Sequence, residues 1–287
     1  MQIVVLLFIL LRWLFILKIS TNFETGETSM SLTTYFIGAG RVTRILLSGL
    51  KQHGHLPDRI IVTDPDRKSL ETLLSAIPEC ETETEVSQKI GEADLVFISL
   101  HPPVIPDVLK NLSSFVQERT TIVSLAPKLS TQKIQELLGV KLPVIRMIPN
   151  APSIVLEGFN PVSFSPECSD STRTIFKTLM APLGQMPEVK EESLEAYAVL
   201  SAMGPTYFWF QMAELIRLGE KFGLSREDAM KAVCVMTSGA AHTMMSSGLS
   251  PEEVTDLIPV KPLKEHEETI RSIYDSAITG FYEKLRS

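Results

Sequence analysis

An α/β fold, with a doubly wound parallel sheet in its first half and helices alone in its second, is predicted by three features of the 287-residue sequence. Short apolar runs recur at 33–37, 59–64, 93–100, 120–126 and 142–148, and most are near-continuous rather than alternating. That is the pattern of strands buried on both faces. Helix-length segments separate the runs, so consecutive strands are joined by crossovers and lie parallel. From residue 190 the strand signals stop and helical periodicity takes over. A chain of this length also favours two cores over one. The expected organisation is an N-terminal extension over 1–30, an α/β domain over 31–189 and a helical domain over 190–287.

Taken in order, "TTYFI" at 33–37 is the first strand, and Val42, Ile45, Leu46 and Leu50 give 41–52 a helical apolar face. Gly38-x-Gly40 lies between the two. A strand, a glycine turn and a helix are the context of a dinucleotide-binding turn of the Rossmann kind. The first glycine makes the tight turn, the second lets a pyrophosphate approach, and the helix start donates amides to it. Thr43 stands where a third glycine is expected, a position that governs packing of helix on strand. "RIIVTD" at 59–64 is the second strand and ends in an acid some twenty-odd residues beyond the glycines, where a ribose diol is bound in such folds. Asp64 therefore points to NAD, whereas Arg41, Arg67 and Lys68 are nearby cations for the 2′-phosphate of NADP; both cofactors stay open. The alternative role for Asp64 is the N-cap of the helix beginning "RKSLETLL", for which Asp66 is at least as good a candidate.

Ligands of a doubly wound sheet bind at the carboxyl ends of its strands. Those ends carry Gly38, Ala39, Gly40, Arg41 and Val42, then Asp64 and Arg67, then Leu100, His101 and Pro102. Ala126-Pro127-Lys128 and Pro149-Asn150-Ala151-Pro152 follow the last two strands. These are the candidate walls of a cofactor site. His101 is also placed to donate a hydrogen bond or a proton, should it face the cleft.

Composition narrows the partners. The net charge is −7 and no basic stripe is present, which argues against a nucleic-acid surface and for a small molecule. Cys80, Cys168 and Cys234 are far apart and odd in number, so neither a disulfide framework nor a metal site is signalled. They are expected to be core residues in a reducing, cytoplasmic setting. Residues 1–19 are nearly all apolar, yet Arg12 in their middle costs about 2.5–3.5 kcal/mol on insertion scales. The simpler account has the natural product beginning near Met30; a membrane anchor is the alternative.

In the helical half Pro205 suits the first turn of a helix running to about Phe222, with Gly223 at its end. "SRED" at 225–228 and "SPEE" at 250–253 are capping boxes, the former with Asp in place of Glu. The helix over 226–247 is rich in Ala, Ser, Gly and Met and is expected to be deeply packed. His242 on it, and Trp209 and Phe210 before it, are expected in a core or an interface.

At "RMIPNAP" and "LSAMGPTYFW" the sequence resembles the pyrroline-5-carboxylate reductase family, over about residues 33–287. The likeness also rests on the glycine turn and on "ADLVFISLHP", and it implies a nicotinamide-dependent reduction of a cyclic imine of a small acid, as in proline biosynthesis. It further implies a homodimer or higher homo-oligomer interlocked through the C-terminal helices. Asn150 matches a family position beside the nicotinamide, and Ser201, Gly204 and Pro205 match positions facing the substrate. Three departures stand out. His101 replaces a family lysine, Pro127-Lys128 replaces an alanine-glycine pair, and "LIPVKPLKEHEETI" at 257–270 occupies the place of an S-P-G-G-T-T motif that holds the substrate carboxylate. Lys261 or Lys264 is a candidate cationic replacement. A relative acting on another imine or hydroxy acid, or a non-catalytic NAD(P)-binding protein, are the alternatives.

Overall fold

The computed structural model describes residues 31–286, so the expectations for the N-terminal extension fall outside the described residues. The α/β half is built on a seven-stranded sheet. Its first part alternates β1 (Thr33–Ile37), α1 (Arg41–His53), β2 (Arg59–Thr63), α2 (Arg67–Ala76) and β3 (Glu81–Glu83). Next come β4 (Leu95–Ile98), α3 (Ile105–Leu112), β5 (Thr121–Ser124), α4 (Thr131–Leu138) and β6 (Val144–Met147). A short pair, β7 (Gly158–Phe159) and β9 (Gly184–Gln185), flanks β8 (Val162–Phe164) and α5 (Asp170–Met180). The spatial order is β3-β2-β1-β4-β5-β6-β8, parallel except for β8, which runs antiparallel to β6.

Alternate residues of each strand feed opposite faces. Phe36 and Phe97 stack at 4.3 Å on one face, under Leu46 and Leu47 of α1, Leu73 of α2 and Phe176 of α5. Tyr35, Ile37, Val96 and Ile98 point the other way, to Leu109 of α3 and Ile134 of α4. Burial on both faces explains why these strands read as unbroken apolar runs.

Two strands of the seven-stranded sheet were not expected from the sequence. β3 is "ETE" and has no apolar run; it is held at the sheet edge by charge, with Arg59 Nε 2.6 Å from Glu81 Oε1 and Lys89 Nζ 2.8 Å from Glu83 Oε1. The Arg59 bonds hold the Glu81 carboxyl down to about 2. Those groups are solvent-facing, so the ladder specifies register more than it adds stability. β8 has three residues and only its pairing to β6 marks it.

One turn is strained. Lys128, after β5, has φ +82°, a conformation that glycine adopts freely and other residues at a cost of roughly 1–2 kcal/mol. Its amide donates to Glu195 Oε1 at 3.2 Å, which keeps the turn in place. Lys128→Gly is therefore expected to raise stability by up to about 1 kcal/mol, read from the urea midpoint. A lowered midpoint would mean that the lysine side chain itself supports the turn.

The helical half begins with α6 (Leu194–Tyr197), passes through a π-helical turn (Ala198–Ala202) and continues as α7 (Gly204–Lys221) and α8 (Arg226–Ser246). α9 (Pro251–Asp256) and α10 (Glu267–Arg286) complete it. Ser250 and Glu253 form the expected capping box; at Ser225 only half forms, because Asp228 accepts from the Ser225 hydroxyl instead of its amide. Ile148 at the sheet's edge packs with Leu194, Ala198, Val199 and Leu285, joining the two halves. Among the described residues no helix is long and apolar enough to cross a membrane.

The expected deep packing of 226–247 is not met within one chain. Ala229 is the buried residue of α8, while Val235 and Met245 are exposed. Trp209, Phe210 and His242 are likewise exposed rather than core, and so is Cys234. Cys80 and Cys168 are buried as expected, and burial pushes the Cys80 thiol up to about 12. The small and apolar residues of α7 and α8 thus form an outward face that no other described residue covers.

Candidate functional site

The glycine turn is shaped by contacts at both ends. Gly38 has φ +108°, and a Cβ built on it would lie 2.5 Å from the Ser99 carbonyl oxygen. Its amide donates to the Thr63 carbonyl, which ties the turn to the end of β2. Gly40 is the N-cap of α1 and a Cβ there would meet nothing within 4 Å. The space beside it is open. No side chain caps this helix and no acid sits in its first turn, whereas Asp66, Ser130, Ser169, Ser225 and Ser250 cap other helices. A start of this kind keeps amides available for an anion.

Thr43 has its own role. It is fully buried and its hydroxyl donates to the Gly38 carbonyl at 2.5 Å, so it locks the turn that a third glycine would only permit. Arg44, which the sequence did not single out, adds a bond from Nη1 to the Ala39 carbonyl at 3.2 Å. Thr43→Val keeps the shape and removes the donor. A loss of about 1–3 kcal/mol is expected from the unsatisfied carbonyl, read by thermal unfolding, with a weaker hold on dinucleotide. An unchanged melting temperature would show that the bond is dispensable.

Asp64 follows β2 and spans two backbone groups: Oδ2 accepts from the Ala39 amide at 2.8 Å and Oδ1 from the Asp66 amide at 2.9 Å. Asp66 caps α2 through Lys68 N and takes the Ser69 hydroxyl at 2.7 Å. Arg41 and Arg67 are exposed nearby in the chain.

Between the two halves lies a cavity of about 310 Å³. It is lined by Arg41, Val42 and Ile45 of α1, by Leu125, Pro127 and Ile148 to Ala151, and by Ala198, Ala202 and Met203. Asn150 crosses it. Its Oδ1 accepts from the Phe159 amide at 3.0 Å and its Nδ2 reaches the Ser201 carbonyl at 3.5 Å. Ser201 sits in the π-helical turn, a distortion found preferentially at functional sites, and its hydroxyl donates to the Tyr197 carbonyl at 2.7 Å. Tyr207 braces the same turn through a 2.7 Å bond to the Val199 carbonyl.

The predicted residues divide. Arg41, Val42 and Asn150 share the cavity wall and Ser201 is bonded to Asn150. Gly204 and Pro205 open α7 directly after the turn. Ala126 is buried next to two lining residues, Leu125 and Pro127. Leu100 and Pro102 are half-buried, but His101 is exposed and does not line the cavity. Lys261 lies 3.8 Å from Asp256, beyond α9, and does not line it either; Lys264 opens a short exposed turn. Sequence reading missed Leu125, Ile148, Ala198, Ala202 and Met203.

A second missed feature joins the halves beside Lys128. Arg146 of β6 is 2% exposed, with Nη2 2.7 Å from Glu195 and Nη1 3.0 Å from Glu191. Glu191 also accepts from the Thr131 amide and hydroxyl. The spacing of Glu191 and Glu195, one helical turn apart, was the available signal.

A parallel sheet with an open glycine turn, and a cleft closed by a helical half, define a dinucleotide-dependent oxidoreductase. The family described as NADP oxidoreductase coenzyme F420-dependent matches residues 33–128, and that described as pyrroline-5-carboxylate reductase dimerisation matches 191–261. A pyrroline-5-carboxylate reductase of Corynebacterium melassecola is 28% identical over 253 residues, spanning 87% of this chain and 93% of that protein. The Coxiella burnetii enzyme of that name has a structure with TM-score 0.70 and 25% identity, covering 90% of this chain and 99% of its own. The Plasmodium falciparum pyrroline carboxylate reductase, solved with NADP bound, shares the fold at TM-score 0.76 and 20% identity, over 89% and 97% of the two chains. Proteins named pyrroline-5-carboxylate reductase are thus similar to this chain over most of its length.

Proposed function

We propose that the chain reduces a cyclic imino acid of the pyrroline-5-carboxylate type, using NADH or NADPH, as a homodimer or larger homo-oligomer in the cytoplasm. The observation that carries this reading is the cleft lined jointly by Arg41 and Val42 of the glycine-turn helix and by Ala202 and Met203 of the helical half. The residues fit a dinucleotide: Gly40 leaves open space and the start of α1 has no competing cap. Gly38, Ala39, Gly40, Arg41 and Val42 hold the pyrophosphate; Asp64 and Arg67 meet the adenine-side ribose. Leu100, His101, Pro102 and Ala126 border the cofactor's path, and Asn150 sits beside the nicotinamide. When bound, the cofactor supplies hydride to the imine carbon.

The protein's own task is positioning and exclusion of water. Ser201 has committed its proton to the Tyr197 carbonyl, so its oxygen offers lone pairs, which suit the N–H of a protonated imine. Gly204 and Pro205 open α7 directly after the turn that carries Ser201. The outward apolar face of α7 and α8 falls largely within the segment matched by the dimerisation family, which supports a second copy as its cover.

Oxidation of NADH and NADPH by the full chain, with saturating pyrroline-5-carboxylate, tests the reading. Turnover well above the buffer background is expected. A second reading, another small imino or hydroxy acid, is favoured by one feature: Pro259-Val260-Lys261-Pro262 lacks the hydroxyls and glycines of S-P-G-G-T-T. Dinucleotide binding without turnover would support it, and proline formation gained by grafting that motif over 259–264 would place the difference in this loop. Binding with no turnover on any imine or hydroxy acid would leave a non-catalytic NAD(P)-binding protein.

A further inference from the structure

We infer that Tyr207 is a positioning residue of the proposed reaction: through the Val199 carbonyl its hydroxyl holds the π-helical turn Ala198–Ala202 open, and the open turn sets Ser201 against Asn150 at the cleft. The inference rests on the reductase reading above and adds to it a residue outside the cleft lining. Three observations carry it.

The first is where the backbone bonds of the turn go. In an α-helix the Met203 amide would donate to the Val199 carbonyl, four residues back. Here it donates to the Ala198 carbonyl at 3.1 Å, the wider π spacing. Val199 thereby loses its ordinary donor, and Tyr207 Oη takes that place at 2.7 Å. The second is what becomes of the Ser201 carbonyl. Its α-helical donor would be residue 205, a proline without an N–H, and Asn150 Nδ2 reaches it instead at 3.5 Å. Two carbonyls of the turn are thus handed to side chains, one from α7 and one from the loop after β6. The Asn150 contact is at the long limit of a hydrogen bond and the Tyr207 bond is at the optimum, so Tyr207 supplies the firmer hold.

The third is how Tyr207 is itself held. Its ring meets Tyr274 of α10 edge-on, with centroids 6.1 Å apart. Gln211 ties the pair by donating to the Tyr207 carbonyl at 2.5 Å and to the Tyr274 hydroxyl at 3.2 Å. Burial, and then the Tyr274 phenol close by, push the Tyr207 phenol up, so its hydroxyl stays a donor through neutral and mildly alkaline pH. Loss of that donor leaves the Val199 carbonyl unpaired. The Met203 amide is the ordinary replacement, and its capture would return 199–203 to α-helical winding and turn Ser201 away from Asn150.

Tyr207→Phe in the full chain removes the donor and keeps the ring on Tyr274. With saturating pyrroline-5-carboxylate and NADH or NADPH, kcat is expected to fall about tenfold or more. Calorimetric affinity for the dinucleotides and the melting temperature should change little, and faster amide exchange should be confined to 198–203. A double-mutant cycle with Ser201→Ala separates positioning from bulk structure. When Tyr207 works through Ser201, the double variant keeps the kcat of Ser201→Ala alone, within about twofold, instead of the product of two losses. An unchanged kcat for Tyr207→Phe would overturn the inference. Losses that multiply in the double variant would overturn it too, because Tyr207 would then act apart from Ser201. A fall in cofactor affinity and melting temperature as large as the fall in kcat would also overturn it, by making Tyr207 a structural brace alone. No turnover by the unmodified chain would overturn the reductase reading itself, and this inference with it.

Discussion

Arg146→Met is expected to lower the stability of the chain by about 3–5 kcal/mol, the largest effect of any single substitution considered for the sheet. Arg146 is buried in β6, and its guanidinium is the charge partner of Glu195, itself buried, and of Glu191. Removing it leaves a carboxylate in a low-dielectric site without a counter-charge, which costs far more than the pair contributes when intact. The two glutamates also hold the Lys128 turn and the start of α4. The substitution should therefore loosen the attachment of residues 191–197, which lead directly into the turn that carries Ser201. Arg146→Lys retains the charge but not the fork that reaches both acids, and an intermediate loss is expected. Urea denaturation checks both variants. A midpoint for Arg146→Met within experimental error of the unmodified chain would mean that the carboxylates find other partners and that the clamp is not what joins the halves.

Gly38→Ala is expected to abolish dinucleotide binding and to destabilise the fold by roughly 2–5 kcal/mol. Two separate costs add. A non-glycine residue at φ +108° is strained by roughly 1–3 kcal/mol, and the new methyl group would lie 2.5 Å from the Ser99 carbonyl oxygen, an overpacked contact of typically 1–3 kcal/mol more. That oxygen belongs to the backbone at the end of β4, so relief requires the turn or the neighbouring strand end to move. Either shift displaces Ala39 and the start of α1, where the pyrophosphate is to be held. Calorimetric titration with NADH and thermal unfolding read the two effects. Gly40→Ala is the informative contrast. Its Cβ meets no protein atom, so it should leave stability nearly unchanged while weakening the cofactor alone. Full retention of binding in both variants would remove the glycine turn from the site.

Much of the α/β half could be read from local pattern because burial on both faces writes itself as a run. Phe36, Val62, Phe97, Val123 and Ile145 lie in such runs and form one continuous core. β3 escaped because its place is set by Arg59 and Lys89 reaching over "ETE", a cross-strand interaction with no local signature. The glycine turn was legible for a related reason: strand, turn and helix are adjacent in sequence, so their joint geometry is too. The cleft was only half legible. Its wall is assembled from α1, the ends of β5 and β6 and the π-helical turn, and apolar residues such as Ile148 or Met203 look locally like any core residue. The helical half misled in a specific way. Small and apolar residues at helical spacing announce burial, but they do not say by what, and the other described residues do not cover this face of α8.

The cleft between the glycine turn and the helical half is the predicted place of hydride transfer. A crystal structure of the full chain with NADH tests this most directly. The pyrophosphate is predicted at the amides that open α1, with the nicotinamide ring between Asn150 and the Ala202–Met203 wall, facing Ser201. A nicotinamide ring lodged outside that cleft, or a dinucleotide bound away from Gly38 and Gly40, would contradict it.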